Sequence, residues 1–89
     1  EVVDIHAVQG RTEDMAEVKD MHHLHIWKMD DEHIHLEAHI NLCENLPLSD
    51  AQAIGRRIEE MLRTEFGISH VTLQLEYEGC YLQCGLIQA

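Results

Sequence analysis

The chain opens with inward-facing candidates spaced three and four apart, namely Val2, Ile5, Val8, Thr12 and Met15. That spacing suits one buried stripe of an amphipathic helix over residues 2–15, with Gly10 as its weak point. From Val18 to Met29 the sequence is rich in β-branched, aromatic and His residues and holds no Gly or Pro, which predicts a strand. Asp30-Asp31-Glu32 breaks that run, and from His33 to Leu42 polar and apolar residues then alternate at every position. A period of two puts Ile34, Leu36, Ala38, Ile40 and Leu42 on a buried face and His33, His35, Glu37, His39 and Asn41 on the opposite one. The two strands form a hairpin.

Leu46-Pro47-Leu48 leads into Ser49-Asp50-Ala51-Gln52, where Ser49 suits a helix cap and Gln52 the return bond of a capping box. Ala51, Ile54, Ile58, Met61, Leu62 and Glu65 or Phe66 keep the helical period. Arg56, Arg57 and Arg63 fall outward, and Gly67 is the expected stop. Ser69 to Tyr77 alternates again, with Val71, Leu73 and Leu75 inward and His70, Thr72, Gln74 and Glu76 outward. The order helix, strand, strand, helix, strand is α+β. It predicts a ferredoxin-like αββαβ two-layer sandwich, with two helices on one face of a three-stranded sheet. We expect one domain over 1–78 and a C-terminal tail over 79–89 that carries Cys80 and Cys84.

Charge narrows the function. Seventeen acidic residues against six basic ones give a formal net charge of −11 with His neutral, which opposes nucleic acid and anionic lipid as partners. The same field favours cations, and eight His in 89 residues supply nitrogen donors suited to zinc and its neighbours. Three Cys in no disulfide-like spacing fit a reducing compartment. No run approaches the ~20 apolar residues of a membrane span, and the start Glu1-Val2-Val3-Asp4 lacks signal-peptide order. A chain this small buries only about 60–65% of its unfolded surface, so a partner subunit or a metal is an expected source of stability.

Solubility does not require His at 22, 23, 25, 33, 35 and 39; Ser, Thr, Lys or Glu would serve. A metal site needs three or four donors converging within ~2.0 to 2.3 Å of one point, which neighbouring strands provide when ligands share a face. A two-residue turn at Asp30-Asp31 sets His22 opposite His39. A three-residue loop through Glu32 sets His23 there instead and buries Leu24 and Ile26, which favours the second register. A bulge near the start of the strand would still turn His22 outward, so both remain candidates. Glu76 and His70 share the polar face and complete the candidate set with His35. The alternative for all of these is an ordinary solvated or hydrogen-bonded His, and the chain holds no CxxC or HExxH motif. His6 falls on the helix surface, Cys43 suits a small buried hydrophobe, and Cys80 and Cys84, in a CxxxC spacing, are candidates for a second soft-metal site.

His22-His23-Leu24-His25-Ile26-Trp27 resembles the His-x-Leu-His-Val/Ile-Trp motif that opens the first strand in cytoplasmic C-terminal domains of cation diffusion facilitators. Glu37-Ala38-His39-Ile40 is similar to the family's Ser-Ala-His-Val. Phe66-Gly67-Ile68-Ser69-His70-Val71-Thr72-Leu73-Gln74-Leu75-Glu76 resembles its Phe-Gly-Ile-x-His-Val-Thr-Ile-Gln-x-Glu ending. The resemblance implies a homodimeric domain below a membrane-embedded divalent-metal exporter, at the cytoplasmic face, where bound metal draws two protomers together and favours transport. By motif position it places metal ligands at His22, His39 and Glu76. A further ligand position is held here by Ser69, next to His70. Gln74 stands where some members have a ligand His, which argues against a binuclear site. Zinc is the first expectation, with cobalt, nickel, cadmium, manganese and iron as alternatives. A freestanding metal carrier or metal-responsive regulator of the same shape is the second reading. An enzyme ranks last, since no nucleophile arrangement or phosphate loop is present.

Overall fold

The computed structural model describes residues 3–77. Its elements are α1 (Ile5–Glu13), β1 (Val18–Lys28), β2 (Ile34–Leu42), α2 (Leu48–Phe66) and β3 (His70–Glu76), in the expected αββαβ order. The sheet runs β1-β2-β3, with β1 antiparallel to β2 and β3 parallel to β2. A parallel neighbour needs a long crossover, and α2 supplies it. The helices cover one face, and Met21, Leu36, Ala38, Ile40, Ile54, Ile58, Leu62 and Ile68 form the core between the layers. Among the described residues no helix is long and apolar enough to cross a membrane.

The ends of α1 differ from the sequence expectation for a local reason. The Asp4 carboxylate accepts from the His6 and Ala7 backbone N–H groups, so the helix starts at Ile5. Val8 and Thr12 are buried, but Ile5 is exposed, because so short a helix meets the sheet only along its middle. Gly10 sits in open space, where an added Cβ meets nothing within 4 Å. Gly10→Ala is therefore expected to raise stability by roughly 0.5–1 kcal/mol, the helix penalty of glycine, as a higher midpoint in urea denaturation. Side chains of α1 also hold the outer edge of β1. Glu13 accepts from the Met21 N–H at 2.9 Å, and Gln9 donates to the Met21 carbonyl at 3.0 Å.

Helix α2 begins at Leu48, with Pro47 in the cap position and no side-chain cap bond. The Ser49 capping box is thus not used, since Pro47 already presents a fixed backbone and its carbonyl accepts from Ala51 N–H at 3.0 Å. At the other end Gly67 adopts φ 70°, the left-handed conformation that ends a helix with little strain only in glycine. Arg57 reaches Glu17 at 2.7 Å, and that guanidinium holds the Glu17 carboxyl below its usual range. Cys43, a buried candidate from sequence, is exposed. Val71, Leu73 and Leu75 are half-buried, because β3 is an edge strand.

Candidate metal centre

The hairpin register decides which of His22 and His23 lies opposite His39. Near the turn the three-residue loop holds, with Met29 N–H bonded to the His33 carbonyl at 2.8 Å, Lys28 opposite Ile34 and Ile26 opposite Leu36. Between His25 and His22 the register slips by one, so that His22, not His23, faces His39. Two residues, His23 and Leu24, then oppose Ala38 alone, which is a β-bulge. His23 takes the extra position with φ 52°, a left-handed conformation that His tolerates better than most non-glycine residues. The slip reverses the parity of β1. Leu24 and Ile26 point to the helices after the bulge and Met21, 1% exposed, points there before it, which turns Asp20 and His22 onto the polar face.

That face is organised in rows across the strands. Trp27, His35 and His70 form one row, His25, Glu37 and Thr72 the next, then His22, His39 and Gln74, and finally Asp20, Asn41 and Glu76. Glu76 reaches back one row. Its Oε2 lies 2.7 Å from His39 Nδ1 and its Oε1 3.3 Å from His22 Nε2. The His22 and His39 rings are 5.3 Å apart. His22, His39 and Glu76 each offer a donor atom, all within 4.8 Å of one another, and all three side chains are half-buried. Bonds of ~2.0–2.1 Å at tetrahedral angles place zinc donors about 3.3–3.5 Å apart, so an ion is seated once the 2.7 Å His39–Glu76 contact opens and the wider separations, up to 4.8 Å, close. Two imidazoles and a carboxylate are also the donor chemistry zinc accepts. The Glu76 carboxylate is steadied by Gln74, whose amide donates to Oε2 at 3.0 Å.

The remaining candidates fall elsewhere. His23 lies beside the triangle, its ring 4.9 Å from that of His39. With His25, Glu37, Thr72 and Gln74 it lines a shallow depression next to His39. His35 and His70 face each other at 4.5 Å at the far end of β3, about 20 Å along the strand from Glu76 at ~3.3 Å per residue. Among the described residues no third donor joins them. Cys80 and Cys84 lie outside the described residues. Asp20 and Asn41, which the sequence pattern does not single out, adjoin the triangle. Asp20 Oδ1 is 2.8 Å from His22 Nδ1, and the Asn41 amide donates to Asp20 Oδ2 at 3.3 Å. Once a bulge is recognised, an Asp two positions before a His on the same face is the signal that identifies them.

A ferredoxin-like sandwich with this polar sheet face matches a known class. Residues 1–78 match the family described as cation efflux protein, cytoplasmic domain, and the chain belongs to that family. Among relatives, it is 34% identical over 74 residues to the zinc transporter ZitB of Yersinia pseudotuberculosis, covering 82% of this chain and 22% of the transporter. It is 36% identical over 63 residues to metal tolerance protein 1 of Arabidopsis thaliana, covering 71% of this chain and 15% of that protein. The matched part of the chain therefore spans between 15% and 22% of these relatives' length. Among solved structures it resembles the metal-bound C-terminal domain of the CzcD transporter from Cupriavidus metallidurans, with a TM-score of 0.71 and 28% identity, over 83% of this chain and 99% of that one. A MamM C-terminal domain, at 14% identity and TM-score 0.72 over 81% of this chain and 88% of that one, shares the fold.

Proposed function

We propose that this chain is the regulatory and dimerisation domain of a divalent-cation efflux transporter, and that it binds zinc through His22, His39 and Glu76. The observation that carries the reading is the convergence of those three donors within 4.8 Å on one sheet face. Relatives named as zinc transporters favour zinc over cobalt, nickel, cadmium, manganese or iron. Bound zinc supplies positive charge at a site whose protein groups include two carboxylates. The residues do the rest. The bulge turns His22 onto the polar face, β2 holds His39 beside it, and Glu76 spans both imidazoles from β3. Three protein donors leave a fourth position for water or for a donor from a second copy. Two chains of formal charge −11 each repel, and neutralising carboxylates on the sheet face weakens that repulsion. The domain proper comprises residues 1–78, and Cys80 and Cys84 in the tail offer thiolates for a separate ion.

Metal can favour the dimer only by its differential affinity for the paired form, which for such couplings is on the order of 1–3 kcal/mol, or 5- to 150-fold. Sedimentation velocity with and without Zn²⁺ checks this. The dimer dissociation constant is expected to fall by a factor in that range. Zinc that binds without changing it would remove the regulatory role and leave a metal carrier.

A further inference from the structure

His22 and His39 turn different ring nitrogens toward Glu76. His39 presents Nδ1, whereas His22 presents Nε2 because its Nδ1 is taken by Asp20 at 2.8 Å. A neutral imidazole that donates from Nδ1 carries its free electron pair on Nε2, the nitrogen aimed at the triangle. Metal-binding His residues characteristically donate their other ring N–H to a carboxylate or carbonyl, which fixes tautomer and ring orientation.

Asp20 is itself held. Asn41, opposite Asp20 on β1 and Glu76 on β3, is 3% exposed and donates its amide N–H to Asp20 Oδ2 at 3.3 Å. Turning the N–H side toward Asp20 leaves Asn41 Oδ1 without a partner, the one such buried side-chain atom found among the described residues. An unpaired buried acceptor costs about 1–3 kcal/mol, and an apolar side chain of similar shape would avoid it. An amide kept in the floor of the site at that cost is explained by what it holds rather than by stability.

We propose that Asp20 is a positioning residue for the metal centre. It locks His22 in the Nδ1–H tautomer with Nε2 facing Glu76, and Asn41 clamps Asp20 in place. This rests on His22, His39 and Glu76 being the ligands, but the tautomer belongs to the chain before metal arrives.

The experiment therefore has a metal-free arm and a zinc arm. Two-bond ¹H–¹⁵N correlation spectra of the labelled, metal-free 89-residue chain, recorded in mildly alkaline buffer, are expected to show His22 protonated on Nδ1. Asp20→Ala is expected to move that proton to Nε2 and to weaken zinc binding by about 10- to 100-fold, as loss of outer-shell partners does. Asp20→Asn keeps an acceptor oxygen without the charge and is expected to stay nearer to the parent chain than to the Ala variant. Asn41→Leu is expected to weaken zinc binding without lowering the melting temperature, and it decides the matter even if Asp20→Ala folds poorly. A parent His22 protonated on Nε2, or equal losses in the Ala and Asn variants, overturns the proposal. Failure of the parent chain to bind zinc while the Nδ1–H tautomer is present overturns the ligand reading instead.

Discussion

Replacing His39 with Ala is expected to weaken Zn²⁺ binding by more than about 100-fold, because loss of an outer-shell partner alone commonly costs 10- to 100-fold and His39 is a ligand in this account. Its Nδ1 lies 2.7 Å from Glu76, so the variant also frees the carboxylate that bridges both imidazoles. Glu76→Ala is expected to do the same, and isothermal calorimetry on the two variants reads the change directly. Without metal, both should melt within a few degrees of the parent chain. The pair is only half-buried, where ion pairs away from the dry interior contribute on the order of 1 kcal/mol, and neither side chain belongs to the apolar core. Unchanged affinity in both variants would remove these residues from the ligand set.

The second large effect separates stability from binding. Leu62 on α2 is fully buried against core residues from the other elements. Leu62→Ala deletes apolar volume there and is expected to cost about 2–5 kcal/mol, through lost burial and the cavity left behind. For a domain of this size each kcal/mol moves the melting temperature by ~4–8 °C, so scanning calorimetry should show a fall of at least about 8 °C. Zinc affinity measured well below that transition should stay within a few-fold, because Leu62 faces the helix side of the sheet. Loss of affinity in step with stability would mean that the sheet face depends on the core for its shape more closely than the rigid strands suggest.

Much of this architecture can be read from periodicity. Alternation from His33 to Leu42 gives β2 and its two faces, and the spacing from Ala51 to Leu62 gives the buried stripe of α2. Each pattern works because one face of each element is buried. Where burial is partial the reading weakens, as at Ile5 on a short helix and Val71, Leu73 and Leu75 on an edge strand. The register of β1 is the feature that periodicity leaves open. Loop length alone puts His23 opposite His39, and only the extra residue at His23 and Leu24 brings His22 there. The sequence carries a trace of it, since Met21 and Leu24 are three apart where an unbroken strand spaces its buried residues by two. The same slip governs Asp20, because without the bulge it points to the helix side of the sheet. Candidates such as His70 and His35 share the polar face with the triangle but not its rows, and one strand's alternation specifies a face without specifying a row.

The account stands on one divalent ion held by His22, His39 and Glu76, and anomalous diffraction from crystals of the zinc-loaded chain tests it most directly. The expected result is a zinc peak within about 2.0–2.2 Å of a nitrogen on each imidazole and an oxygen of Glu76. A zinc peak seated only on the tail thiolates, or between His35 and His70 with the triangle empty, would contradict it.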